Sequence, residues 1–169
     1  MTIPVLTTAR LKLRPFTKRD AFSLYKILQQ PDILEFFPQT AAPTMKKVEK
    51  IIASQLNQYE QHHYGTWAVE IIHDPGLIGW CGLNYLPETG EEEVAYLISQ
   101  DFQGNGYATE CACASLDYGF QKIGMERIIC LTHPQNHASR RVAEKIGMTF
   151  LDRRVYWGLE LLRYEKFNI

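Results

Sequence analysis

Hydrophobic and polar positions change their period several times along the chain, and each change marks a new element. Arg10-Leu-Lys-Leu-Arg14 alternates with period two, the mark of a half-buried strand. Thr17-Lys-Arg-Asp20 forms a capping box with Asp in the Glu position. Behind it Ala21, Leu24, Tyr25 and Leu28 recur at i, i+3, i+4, i+7, so the spacing predicts an amphipathic helix stopped near Pro31. A second helix is expected after Pro43-Thr44, with Val48, Ile51, Ile52 and Tyr59 on one face. Period two returns at Trp67, Val69 and Ile71. Turn signals at His73-Asp-Pro-Gly76 and Pro87–Gly90 then bound strands over Leu77–Tyr85 and Glu93–Ser99, an antiparallel meander.

After the meander the pattern shifts. Phe102-Gln-Gly-Asn-Gly106 leads into a long helix carrying Ala108, Cys111, Ala112, Leu116, Gly119, Phe120 and Ile123 on one face and ended by Gly124. Arg127–Thr132 is a β-rich run, so residues 93–132 read as a right-handed βαβ crossover with parallel strands. A shorter helix over His137–Ile146 ends at Gly147, and two strands close the chain near Thr149–Val155 and Leu159–Phe167. The fold class is α+β: one domain over residues 1–169, with about four helices and a mixed, mostly antiparallel sheet of about seven strands.

Composition narrows the function. At 169 residues with 46% hydrophobic content the chain can close a core without staples. A net charge of −1 argues against a whole-surface grip on nucleic acid or anionic lipid. Cys81, Cys111, Cys113 and Cys130 form no C-x-x-C pair, and no His cluster has zinc-ligand spacing, so no metal is expected. Cys111 and Cys113 lie two apart on one helix and do not face each other; they read as packing residues. His62 and His63 suit a helix C-terminus. Trp67, Trp80 and Trp157 fall in expected strands as core or groove-lining residues. No apolar run is long enough to span a membrane, and Met1–Arg10 lacks a signal-peptide pattern, which predicts a cytoplasmic setting.

The candidate chemistry centres on Gln103-Gly104-Asn105-Gly106-Tyr107-Ala108-Thr109-Glu110. Two glycines let the backbone turn sharply at the start of a helix, where unpaired amides and the dipole favour a phosphate or pyrophosphate. The plain alternative is a tight strand-to-helix turn that binds nothing. A dinucleotide fingerprint needs a third glycine where Thr109 stands, and a P-loop needs Gly-Lys-Ser/Thr; neither is present.

Gln103-Gly-Asn-Gly106-Tyr-Ala108 resembles the Gln/Arg-x-x-Gly-x-Gly/Ala signature of the GCN5-related N-acetyltransferases (GNAT). Thr8-Ala-Arg-Leu-Lys-Leu-Arg-Pro15 with Asp20, Glu93-Val-Ala-Tyr96, Gly106-Tyr-Ala-Thr-Glu110, Asn136-His-Ala-Ser139 and Glu144-Lys-Ile-Gly147 are similar to the ribosomal-protein alanine N-acetyltransferase branch of that family. The resemblance covers almost the whole chain. It implies a single N-acetyltransferase domain that moves an acetyl group directly from acetyl-CoA to a primary amine, a protein N-terminal α-amine above all, as a monomer or homodimer. It places the cofactor's pyrophosphate on the amides of residues 104–109 and implies that the strands near 93–99 and 127–132 splay to admit the pantetheine arm. Leu97 and Ile98 would offer that arm an open strand edge, as an added strand would use it. Asn136 would hydrogen-bond the arm; its alternative role is a helix N-cap.

Amine acetylation needs deprotonation of the acceptor and departure of a thiolate. Glu93 is the candidate base, since Glu93, Ala95 and Leu97 share one strand face; alternatively, Glu91-Glu92-Glu93 is a solvated charge run. Many relatives place a Tyr as general acid in the following helix, in the slot held here by Ala143. Ser139, one turn earlier, is the candidate partner for the sulfur, with helix capping as its alternative. Two other functions remain open at this level. One is acetylation of a small-molecule amine such as a polyamine or aminoglycoside, which the acidic Glu88, Glu91 and Glu92 would suit. The other is a CoA-binding sensor without turnover, which the missing Tyr would suit.

Overall fold

In the computed structural model, which describes residues 2–169, the alternation at Arg10–Arg14 becomes β2 (Leu11–Pro15), and the capping box starts α1 (Ala21–Leu28). Met1, the first residue of the expected domain, lies outside the described residues. The Thr17 N–H donates to Asp20 Oδ2 at 2.7 Å, and Arg14 grips the same carboxylate through both terminal nitrogens at 2.9 and 2.7 Å. Burial pushes the Asp20 carboxyl up, and the bonds from Arg14 and Thr17 outweigh it and hold the group below its ordinary pKa.

The remaining elements follow in the expected order: α2 (Met45–His62), β3 (Thr66–Ile71), β4 (Asp74–Leu86), β5 (Glu91–Ile98), α3 (Tyr107–Tyr118), β6 (Arg127–Thr132), α4 (His137–Lys145), β7 (Thr149–Tyr156) and β8 (Leu159–Phe167). The sheet has eight strands, one more than the pattern suggests, because Leu6–Thr7 adds a short β1 beside β2. Two residues are too few to show a period. β4 also starts at Asp74, earlier than Leu77: a register shift against β3 near Glu70 tightens the turn to Ile72-His73. After α3 the chain winds one π-helical turn over Gly119–Ile123. Gly119 packs closely there: a Cβ would lie 2.8 Å from the end of the Ile128 side chain, which would have to shift.

The sheet order is β1-β2-β3-β4-β5-β6-β8-β7, antiparallel except between β5 and β6. Each face has its own helices. Leu24, Ile27, Leu28, Val48 and Ile52 of α1 and α2 pack with Phe16, Ala68 and Leu97. Cys111, Ala112 and Leu116 of α3 and Ala143 of α4 pack on the other side with Leu11, Trp67, Val94, Ile98 and Cys130. Glu93 and Ile129 form the one parallel β5–β6 pair among the described residues, and beyond it the two strands part. That divergence positions everything that follows.

Candidate active site

The gap between the parted strands opens into a cleft of about 1270 Å³. One end is the glycine loop over residues 103–109, the expected phosphate site. Gly104 and Gly106 take φ of +79° and +80°, a region L side chains resist, and Gly106 caps α3. The first intrahelical bond there is Glu110 N–H to Gly106 C=O at 3.0 Å, so the amides of Tyr107, Ala108 and Thr109 precede the ladder. Gln103, Gly104, Gly106, Tyr107, Ala108 and Thr109 all line the cleft. Asn105 does not. Its side chain braces the loop instead, donating to the carbonyls of Phe102 and Gln103 at 3.0 and 3.2 Å. Gln103 likewise spends Nε2 on Ile98 C=O at 2.9 Å, tying the end of β5 to the loop. Glu110 accepts from Thr8 Oγ1, Arg10 N–H and Arg10 Nε, which fastens the first turn of α3 to the β1–β2 segment.

Along the walls, Leu97 and Ile98 pair with Trp80 and Gly79 of β4 on one side only, and apart from the Ile98 C=O that Gln103 takes, their other edge faces the cleft. Thr132 Oγ1 on β6 is buried without a hydrogen-bond partner and lines the same cleft. A buried hydroxyl left unpaired is costly, and a ligand bearing amides would satisfy it. Asn136 does cap α4: its Oδ1 accepts from Ser139 N–H at 3.1 Å. Its amide nitrogen is not used in that bond, and the residue lines the cleft. The glycine cradle, the open strand edge and the orphan hydroxyl together fit an elongated ligand with phosphates at one end and amides along its arm, as acetyl-CoA is built.

Glu93 sits where the strands begin to part. It is 8% exposed and lines the cleft. Burial lifts its carboxyl to about 8, the charge of Glu91 adds to this, and the Asn84 side chain and Leu131 main chain pull it partly back. The glutamate run is therefore not a solvated patch. Glu91 accepts from Arg163 at 2.7 Å, Arg127 at 3.2 Å and Tyr156 Oη at 2.6 Å. Glu92 turns to the opposite face, where it accepts from Tyr64 Oη.

Ser139 meets a residue whose role the sequence left unassigned. Tyr96 Oη lies 3.1 Å from Ser139 Oγ and 3.1 Å from Ser139 C=O, so its one proton can serve either oxygen. Burial keeps that phenol protonated far above its ordinary range. The signal was present in Glu93-Val-Ala-Tyr96, but its partner stands 43 residues away. Ala143 is fully buried in the core, so the hydroxyls at this wall come from β5 and the first turn of α4. Cys130, nearby and buried, has its thiol pushed up to about 12 by burial and by the Glu93 charge, which leaves no thiolate for nucleophilic attack. Among the described residues no cluster of metal-ligating side chains forms, and no helix is long and apolar enough to cross a membrane.

Three comparisons bear on this arrangement. The acetyltransferase (GNAT) domain family matches residues 10–149. The uncharacterized protein YkkB of Bacillus subtilis (strain 168) is 32% identical over 168 residues, covering 95% of this chain and 94% of that one. The spermidine N(1)-acetyltransferase of Escherichia coli (strain K12) is 19% identical over 82% of this chain and 73% of its own length. Among solved structures, the ribosomal L7/L12 α-N-protein acetyltransferase RimL in complex with coenzyme A superposes with a TM-score of 0.83 at 13% identity, covering 97% of this chain and 98% of that one. At that identity the likeness is one of fold.

Proposed function

Since the chain belongs to the acetyltransferase (GNAT) family, we propose that it transfers an acetyl group directly from acetyl-CoA to a primary amine, with a protein N-terminal α-amine as the favoured acceptor. The observation that carries this reading is Glu93, a buried carboxylate raised to about 8 at the point where β5 and β6 part. A general base works best when its pKa lies near the working pH, and an ammonium needs such a base to become nucleophilic. Acetyl-CoA supplies the acyl thioester. The amides of Tyr107, Ala108 and Thr109 would hold its pyrophosphate, while Leu97, Ile98, Thr132 and Asn136 would hold its arm. Glu93 takes the amine's proton, and Ser139, oriented by Tyr96, donates to the sulfur. Cys130, buried with its thiol protonated, offers no thiolate to carry the acetyl group, which supports direct transfer.

The polyamine or aminoglycoside reading loses the acidic cluster that motivated it. Glu91 is neutralised by two arginines and Glu92 faces away, leaving only Glu88 of that set on the cleft. Thiol release from acetyl-CoA, measured across a panel of amines and free-N-terminus peptides, tests the reading. CoA binding without thiol release on any acceptor would instead make the chain a sensor.

Ser139→Ala is expected to lower kcat by roughly tenfold, the worth of one hydrogen bond to a developing charge, with CoA affinity nearly unchanged. Tyr96→Phe should move kcat in the same direction by less. A kcat equal to wild type for Ser139→Ala would return the residue to helix capping alone.

A further inference from the structure

The turn between β7 and β8 breaks a local rule at the edge of the cleft. Tyr156 pairs with Leu159, so the loop is two residues long, Trp157-Gly158, with φ of +50° and +77°. Positive φ at both positions is the mark of a type I′ hairpin, whose first position favours Asn, Asp or Gly. A tryptophan there is held in a conformation that bulky residues resist, and such strain persists where the surroundings impose it and function uses it. Trp157 is also 49% exposed and lines the cleft. Strain and exposed apolar area fall on one side chain, and Asn or Gly would close the same turn with less strain and no exposed apolar area.

The hairpin is anchored at the Glu93 end of the cleft. Tyr156 donates to Glu91, two residues before Glu93, and packs with Leu86, Ile129 and Leu161. From Glu93 to Ile98 the strand runs roughly 16 Å at about 3.3 Å per residue, so the bond from Tyr156 to Glu91 ties the hairpin to the end of β5 away from the glycine loop. The surfaces around the hairpin are apolar: Leu86 and Leu161 line the cleft here, and Phe37 meets Trp80 edge-on farther along. Two polar side chains of α2 on the cleft are already engaged. Gln55 Oε1 accepts from Thr66 N–H at 3.1 Å, and Gln58 donates to Leu83 C=O at 3.0 Å. Lys47 brings a positive charge to the same cleft, and Asp32 lies toward its other end, where Gln30 is tied to Ser99 at 2.9 Å.

Resting on the amine-acetylation reading above, we propose that Trp157 recognises the acceptor, and that the acceptor is a primary amine with one positive charge carried on an apolar body. Glu93 takes the ammonium end; the indole covers the hydrocarbon next to it, where aromatic area gives large contact at small entropic cost. The cleft's further carboxylates, Asp32, Glu35 and Glu88, are all exposed to solvent, so a second cation would meet Lys47 and no buried carboxylate.

Purified chain, acetyl-CoA and a thiol-release assay test this with four probes: hexylamine, spermidine, a tripeptide beginning with leucine and one beginning with aspartate. Hexylamine and the leucine-led peptide are expected to exceed spermidine and the aspartate-led peptide by tenfold or more in kcat/KM, and the two favoured arms separate a small molecule from a polypeptide end. Trp157→Asn should raise the KM of the apolar acceptors about tenfold, leave the KM for acetyl-CoA unchanged, and melt no lower than wild type because Asn suits the turn. Trp157→Phe should restore much of the lost affinity. Preference for spermidine, or an unchanged acceptor KM in Trp157→Asn, would overturn the proposal while leaving acetyl transfer intact. Thiol release with none of the four probes would overturn the transferase reading and this one with it.

Discussion

Glu93→Gln is expected to lower kcat/KM by ~10²–10⁴-fold, the usual worth of a general base, with little change in CoA affinity and with a gain in stability. The two effects have one cause. The carboxyl of Glu93 has an ordinary pKa of 4.5 and is raised to about 8 in the fold, chiefly by burial. Between those values the unfolded chain releases a proton that the folded chain retains, so the native state is penalised increasingly as pH rises through that window. Below it both states are protonated and the penalty vanishes. Glu93→Gln should therefore melt with wild type near pH 4 and above it near pH 8, by roughly 5 °C or more. The wild-type rate should climb toward pH 8 as the carboxylate forms, and the variant's profile should lose that limb. Raising the pH further should partly rescue the variant, since more of the acceptor then arrives neutral. A variant as active as wild type would leave the amine to lose its proton to water.

Glu91→Gln provides the contrast. Burial raises its carboxyl, but bonds from Tyr156, Thr89 and Arg163 more than reverse this and hold it low. Removing that charge leaves Arg163 and Arg127 short of a partner, so the loss should appear in stability and not in a pH limb of the rate.

Most of the fold was legible because its faces are written in simple periods: Leu11 and Leu13 on β2, Leu24 and Leu28 on α1, Cys111, Ala112 and Leu116 on α3 all sit where their spacing places them. What escaped has physical reasons. β1 is too short to carry a period. Trp157 reads as strand because it is aromatic and flanked by β-rich segments, and Trp-Gly lacks the Asn-Gly signature of the turn it makes. Period two separates Glu92 from Glu91 and Glu93, yet it cannot show Arg163 arriving from β8 to neutralise Glu91. The family signature divides in a way only packing reveals. Thr8, Arg10 and Glu110 hold one another, and Asn105 holds its own loop, so much of the pattern that looks like a ligand site exists to build the cradle.

That cradle yields the second large effect. Gly106→Val and Gly104→Val are expected to weaken CoA binding by ~10²-fold or more, judged by calorimetry, because each places a branched side chain in a cleft wall built from bare backbone. Both residues have positive φ, so each substitution also strains the chain, and part of any loss would come from folding. Gly124 separates the two contributions. It ends the helical stretch at φ of +80°, its Cβ would meet nothing within 4 Å, and it is absent from the cleft lining. Gly124→Val should therefore share the cost in melting temperature, roughly 2–8 °C for 1–2 kcal/mol, and bind CoA as wild type does. Gly104 is the sharper probe of the pair, since its Cβ likewise meets nothing within 4 Å while that of Gly106 comes 3.4 Å from the Arg10 guanidinium. If Gly104→Val bound CoA no worse than Gly124→Val, the amides of Tyr107, Ala108 and Thr109 would be no phosphate site, and the long axis of the cleft would have to be assigned afresh.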